Sequence, residues 1–132
     1  GCDLNMAYKF LDHTADLGVE VTGESTEELF QSCLDALREW SFQEVDSSRV
    51  THNVELYGDT ETELWFKFLN EVVFYMDKNE APLKVSLKEY HLGCSCYLRA
   101  ELITAEHSKR KQAVKAFTLH NFGFSVQMIF DV

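Results

Sequence analysis

The sequence has few basic residues, no long apolar run and only one proline. Twelve Lys and Arg residues stand against 22 Asp and Glu residues, which gives a formal net charge of -10. Because proteins bind a phosphate backbone mainly through Lys and Arg, this balance argues against autonomous nucleic-acid binding. No stretch approaches the roughly 20 apolar residues that span a bilayer, and the N-terminus lacks a secretory signal pattern. We therefore expect a cytoplasmic protein without membrane association.

The four cysteines, at positions 2, 33, 94 and 96, include no Cys-x-x-Cys pair. This spacing does not match a zinc site, and we interpret the cysteines as reduced thiols of an intracellular protein. Cys94 and Cys96 alternate with Ser95 in a predicted strand, so both side chains are expected to pack on one face.

The chain has 132 residues, of which 45% are hydrophobic, and is long enough to bury one sizeable core. We expect residues 8–132 to form a single domain. Residues 1–7 are interpreted as an N-terminal extension or a remnant of the expression vector.

Two amphipathic helices are predicted, each behind a capping box. Ser25 precedes Glu28 at the spacing that lets Glu28 reach back to the Ser25 amide, and Thr60 precedes Glu63 in the same way. Apolar residues at three- and four-residue spacing then continue to Trp40 and to Met76. Four aromatic residues on these helices are compatible with a partner surface, but their helical spacing favours the core: Trp40, Trp65, Phe66 and Phe74.

Alternating apolar residues predict strands over 8–23, with a connection at 13–16, and over 50–57, 83–90, 95–104, 114–122 and 124–132. Pro82 is expected to help end the second helix and to open the next strand. The order of elements predicts an α+β sandwich with two helices packed on a largely antiparallel β-sheet.

Acidic residues interrupt apolar strand-like segments near both ends of the chain. Asp12, His13 and Asp16 lie within 10–19, and Asp131 lies one residue from the C-terminus. A carboxylate on a strand is costly to dehydrate unless a cation or donor meets it. If the two segments meet, their oxygen atoms form a plausible site for a hard cation, to which Val132 can contribute only backbone or terminal oxygens.

Simpler interpretations of the same residues stay open. Asp12 is equally suited to accept turn hydrogen bonds. His13 and His120 are more simply structural histidines, because neither has a second ligand at useful spacing. Without other information, Lys115 is most simply a solvated surface charge.

Four motifs in order make the chain resemble the archease family. The longest is LDHTADLGV over 11–19, followed by Gly23 and the first helix. LNE over 69–71, VKAFT over 114–118 with His120, and FDV over 130–132 complete the resemblance. The chain departs from the family in a shorter segment between Thr118 and Ile129 and in Leu119, where the family often has tyrosine.

The resemblance implies an archease-like domain that acts as a protein cofactor rather than an enzyme. Archeases assist the GTP-dependent tRNA-splicing RNA ligase by promoting guanylylation of the ligase's active-site histidine and multiple turnover. The implied metal ligands are Asp16, Asp131 and Val132, around a divalent cation that is Ca²⁺ in the family, with Mg²⁺ or Mn²⁺ as alternatives. The implied ligase-activating residues are Asp16, Lys115 and Asp131, while Asp12, His13 and His120 form a second tier of candidates.

Two other functions remain as alternatives at this point. A small metal-dependent hydrolase would use Asp12 or His13 as a base and the cation to activate water. A chaperone-like module for nucleic-acid-modifying enzymes would need the metal only for folding.

Overall fold

A computed structural model describes the backbone of residues 8–11, 16–120 and 123–130, and the side chains of residues 19–111. These residues contain two helices, α1 (Thr26–Ser41) and α2 (Glu61–Met76). The strands are β1 (Tyr8–Leu11), β2 (Asp16–Val21), β3 (Phe42–Glu44), β4 (Val50–Gly58), β5 (Ala81–His91), β6 (Cys96–Ala105), β7 (Lys109–Arg110), β8 (Gln112–His120) and β9 (Gly123–Phe130). None of the helices among the described residues is long and apolar enough to cross a membrane.

The strands form three antiparallel sheets. Sheet A has the order β1-β2-β9-β8, sheet B pairs β3 with β7, and sheet C has the order β4-β6-β5. Sheet A therefore joins the first two strands of the chain to the last two, while sheet C is built from its middle. The predicted α+β class is confirmed, but the strands are divided among three sheets, and β3 and β7 are too short to have shown a periodicity.

Helix α1 begins where the capping box predicts. Ser25 Oγ accepts a hydrogen bond from the Glu28 amide at 3.2 Å. The predicted return contact is wrong by one residue, because Glu28 Oε2 accepts from the Glu24 amide at 2.6 Å rather than from Ser25. The first bond satisfies a first-turn amide that has no intrahelical partner, and the second fixes the residue before the N-cap against the helix.

Helix α2 begins with the same arrangement. Thr60 Oγ1 accepts from the Glu63 amide at 3.1 Å, and Glu63 Oε2 accepts from the Asp59 amide at 2.9 Å. The helix ends at Met76, and Asn79 then adopts a positive φ of 65°. Pro82 is the second residue of β5, as expected for a strand opening. The turn through Asn79, ahead of the proline, therefore redirects the chain out of α2.

Side chains of α1 cover one edge of sheet C. Gln31 Nε2 donates to Leu83 O at 2.8 Å, and Gln31 Oε1 accepts from the Val85 amide at 3.0 Å. Glu27 Oε2 accepts from the Leu87 amide at 2.7 Å. These side chains bond to edge groups of β5 that would otherwise be open to another strand.

The core is built around the phenylalanines of the two helices. Phe30 and Phe68 are fully buried, with ring centroids 4.4 Å apart. The ring centroid of Trp65 lies 4.2 Å from that of Phe30, and Trp65 Nε1 donates to the Tyr90 hydroxyl at 3.0 Å. Because an indole N–H must find a partner when it is removed from water, this bond lets Trp65 pack at the edge of the core.

Several side chains depart from the predicted core. Phe66 and Phe74 are 43% and 51% exposed, so α2 turns them outward. Cys94 lies exposed in the loop before β6, whereas Cys96 is buried, and the predicted shared face is therefore wrong. The strand begins only at Cys96, so the alternation of a strand does not extend back to Cys94.

Candidate functional site

The predicted site residues fall near the ends of the described backbone. Asp16 is the first residue of β2, rather than part of the preceding connection, and Lys115 lies within β8. The remaining members of the predicted metal site and two second-tier candidates lie outside the described residues: Asp12, His13, Asp131 and Val132.

Strand register brings Asp16 and the Lys115 segment to the same row of sheet A. Asp16 pairs with Gln127 of β9, and on the other side of β9 the same Gln127 pairs with Ala116 of β8. Since neighbouring strands lie about 4.8 Å apart, the backbones at Asp16 and Ala116 are about 10 Å apart across β9. Segments from opposite ends of the chain therefore meet, as the predicted cation site requires.

Lys115 lies at an irregularity of the β8–β9 ladder. Val114 pairs with Met128 and Ala116 with Gln127, so β8 advances by two residues where β9 advances by one. Lys115 is therefore the additional residue of a β-bulge. Bulges bend the strand locally and are frequent beside functional sites, because they change the direction of a side chain without changing the sheet.

His120 lies away from this row. It is the last residue of β8 and pairs with Gly123, the first residue of β9. At about 3.4 Å per residue, the five steps from Lys115 to His120 correspond to about 17 Å along the strand. The register therefore groups Asp16 with Lys115 and places His120 at the other end of the hairpin.

Gln127 is a position that the sequence analysis did not single out. It pairs with both Asp16 and Ala116, and it is a polar residue within the otherwise mostly apolar strand β9. That break in the apolar pattern was the available signal. The position of Gln127 between Asp16 and Ala116 is evident only from the pairing partners of β9.

Within residues 19–111, no group of three or more His, Cys, Asp and Glu side chains could hold a metal ion. The oxygen donors of the predicted set fit a hard cation such as Ca²⁺ or Mg²⁺. Strand β9 runs directly into Asp131 in the sequence, and its neighbour β2 begins with Asp16. The donor chemistry and the pairing of β2 with β9 are thus both compatible with a cation at this end of sheet A.

A second polar cluster joins α2, β4 and β6 beside sheet C. His52 Nε2 lies 2.7 Å from Glu80 Oε1, and Thr104 Oγ1 donates to the same oxygen at 2.6 Å. The His52 ring stacks on Tyr75 with centroids 3.8 Å apart. Burial, with the nearby carboxylates of Glu71 and Glu80, raises the pKa of Tyr75 above its ordinary value.

This cluster is best interpreted as a structural clamp. Glu80 is buried and its oxygen is engaged by both His52 and Thr104, while Tyr75 covers the imidazole. A buried polar network of this kind fixes the packing of the elements that contribute to it. Its members are far apart in sequence, so no local motif could have predicted it.

The comparisons with known proteins point to one family. The family model described as the Archease protein family matches residues 8–132. A protein archease from Sulfolobus acidocaldarius is 28% identical over 120 residues, which cover 86% of this chain and 84% of that protein. A protein archease from Archaeoglobus fulgidus is 31% identical over 123 residues, which cover 89% of this chain and 88% of that protein.

A solved structure supports the fold independently. The solution structure of Methanobacterium thermoautotrophicum protein 1598 superposes with a TM-score of 0.64 at 22% sequence identity. The match covers 96% of this chain and 99% of that one. The arrangement of helices and sheets described above is therefore one that a natural protein of the same size adopts.

Proposed function

This chain belongs to the archease protein family, a membership that supports a role as a protein cofactor in RNA processing, and from it we propose that the protein activates a tRNA-splicing RNA ligase. The activation consists of promoting guanylylation of the ligase's active-site histidine with GTP, so that the ligase turns over repeatedly. The protein itself makes and breaks no covalent bond in this reaction.

The activating site is proposed to consist of Asp16, Lys115 and Asp131, with Val132 completing the ligands of a divalent cation. A bound cation, Ca²⁺ or alternatively Mg²⁺ or Mn²⁺, would supply positive charge for phosphate oxygens. Asp16 and Asp131 would hold that cation through carboxylate oxygens. Lys115 would contact a nucleotide phosphate or the ligase as a compact positive charge.

The single observation that carries this proposal is the register of sheet A. Gln127 pairs with Asp16 on one side and with Ala116, the neighbour of Lys115, on the other. The backbones at Asp16 and at the neighbour of Lys115, from opposite ends of the chain, are thereby held about 10 Å apart. The bulge at Lys115 adds support, since bulges often accompany functional residues.

The test is multiple-turnover RNA ligation by a tRNA-splicing ligase from the same organism, with and without this protein. Wild type is expected to stimulate turnover. Asp16→Ala and Asp131→Ala should lose about tenfold to a hundredfold of that stimulation, as changes around a bound metal typically do, and Lys115→Ala should lose stimulation with its phosphate or ligase contact. Glu39→Ala and Lys109→Ala, at exposed positions of α1 and β7, serve as charge-matched controls. Full stimulation by Asp131→Ala would contradict the assigned site.

Thermal unfolding separates a functional cation from a structural one. The buried core between the helices and sheet C needs no metal ligand, so we expect Asp16→Ala and Asp131→Ala to unfold within about 3 °C of wild type, with or without chelator. Unfolding of wild type by chelator alone would instead identify a module with a structural metal. Substrate hydrolysis without any ligase would identify a metal-dependent hydrolase.

A further inference from the structure

The open face of sheet C carries a row of three aromatic rings, one on each strand. Tyr57 of β4 pairs with Tyr97 of β6, which in turn pairs with His91 of β5. The two tyrosine rings have centroids 4.9 Å apart, and the His91 ring lies 6.1 Å from Tyr97 at an interplanar angle of 10°. We call Tyr57, Tyr97 and His91 the aromatic row.

Packing against the side chains of residues 19–111 does not explain this row. Tyr57 is 60% exposed, and the His91 side chain is 67% exposed. Residues of the same strands that face the helices, such as Val54, Val85 and Leu98, are buried. Single exposed aromatics are common on protein surfaces, but here three rings on adjacent strands lie next to one another.

The charges around the row are balanced, in contrast to those of the whole chain. The acidic side chains beside it are engaged: Glu55 accepts from the Tyr97 hydroxyl at 2.7 Å, and Glu89 from Arg99 Nε at 2.8 Å. The Glu, Lys and Arg residues of these three strands are three acids and three bases: Glu55, Glu89, Glu101, Lys84, Lys88 and Arg99. On a protein of net charge -10, this face therefore lacks the acidic excess that would repel a polyanion.

The same surroundings disfavour a protein as the occupant of this face. The centre of a protein–protein interface is depleted in glutamate, whereas the row is flanked by Glu55 and Glu89. Aromatic rings on the strands of an open sheet are instead the arrangement that stacks unpaired nucleobases. Every base offers a flat π face, so such a surface needs no particular sequence.

We propose that the aromatic row of Tyr57, Tyr97 and His91 stacks unpaired bases of single-stranded RNA. The inference rests on the proposed function, which brings this protein to RNA in the company of a ligase. Arg99 and Lys88 are already paired with Glu89 and Glu101, so phosphate contacts are few and binding by the protein alone is weak and only slightly dependent on salt. The row would then guide an RNA end that the ligase holds.

The test uses the isolated protein and a short unstructured oligoribonucleotide, followed by NMR chemical shifts of the labelled protein. Shifts are expected in the amides around the aromatic row. Tyr57→Ala should weaken binding about tenfold, since one stacking contact contributes roughly that factor. Tyr57→Phe keeps the ring and should bind like wild type, and Phe66→Ala is the control for an exposed aromatic on α2.

Four results would overturn the proposal. One is the absence of shifts at the row, and another is binding by Tyr57→Ala within twofold of wild type. The third is equal binding of an abasic oligonucleotide, which would show that the phosphates alone are contacted. Shifts at the row caused by the ligase without RNA would likewise reassign the surface to protein docking.

This outcome is separate from that of the ligation experiment. The NMR titration contains no ligase, so RNA binding at the row can be found even where ligation is not stimulated. Conversely, stimulation of ligation by a protein whose row does not bind RNA would leave the proposed function intact and remove only this inference.

Discussion

Replacing Gln31 by methionine tests whether α1 stabilises sheet C by covering the edge of β5. Methionine keeps the length of the side chain but can neither donate to Leu83 O at 2.8 Å nor accept strongly from the Val85 amide at 3.0 Å. The third bond of Gln31, to Asp35 Oδ1, matters less because Arg38 also bonds to that oxygen. The substitution therefore removes the partner of the Val85 amide while it preserves packing, whereas Leu83 O retains a hydrogen bond from Arg38 Nη1 at 3.4 Å.

The expected loss of stability follows mainly from the Val85 amide. Val85 is only 2% exposed, so water reaches its amide poorly while α1 stays in place. A buried donor left without a partner costs about 1 to 3 kcal/mol, and the bond that Leu83 O keeps from Arg38 Nη1 makes the contribution of that carbonyl small. We expect Gln31→Met to reduce the free energy of unfolding by about 1 to 3 kcal/mol.

Urea unfolding followed by circular dichroism measures this difference. The midpoint should fall while the dependence on urea stays unchanged, because the surface exposed on unfolding is the same. Gln43→Met, at an exposed position of β3, is the matched control and should change stability by less than about 0.5 kcal/mol. An equally small change for Gln31→Met would refute the reasoning and show that water can replace the side chain. Light scattering adds a second readout, since an uncovered β5 edge should promote self-association.

Two further predictions concern titration and thiol reactivity. The hydrogen bond to the Glu55 carboxylate is the main cause that raises the pKa of Tyr97 to about 12. The stability that this bond contributes is therefore complete below the ordinary tyrosine pKa of about 10 and is lost as the pH rises through 12. Glu55→Gln should lower the Tyr97 midpoint in an ultraviolet titration, with the Tyr97 signal identified by its loss in Tyr97→Phe; an unchanged midpoint would contradict the assignment. In a Cys2→Ser background, exposed Cys94 should react with a thiol reagent in the native protein, whereas Cys33, whose burial raises its pKa, should react only on unfolding. Native reactivity of both thiols would contradict the described packing.

The helices could be predicted because their signals are local. Ser25 and Thr60 each cap a helix at the expected residue, and apolar spacing continues the helix from there. In both helices the glutamate of the box bonds one amide earlier than expected, at Glu24 and at Asp59. The sequence pattern identifies the glutamate whose side chain can fold back over the helix N-terminus. The direction in which the preceding chain enters the helix then decides which backbone amide that glutamate reaches.

The meeting of distant segments could be predicted only through the family resemblance. Nothing in the spacing of the acidic residues requires β2 to pair with β9, and the bulge that singles out Lys115 has no signature in VKAFT. Pairing between strands far apart in sequence depends on the whole set of packing choices rather than on local preference. The chemistry of the donors was therefore readable from the sequence, whereas their proximity was not.

The aromatic row illustrates how much of a proposed binding surface can be predicted from the sequence. Val54 and Leu56 alternate with Glu55 and Tyr57, so the sequence alone predicts that Tyr57 faces outward. It does not predict that Tyr97 and His91 lie beside it, because that depends on the registers of β4 with β6 and of β6 with β5. A slip of one residue in either pairing would turn one strand's ring to the buried face and break the row. The same registers bury Val54 and Leu98, so the packing of the core also keeps the three rings aligned on the open face.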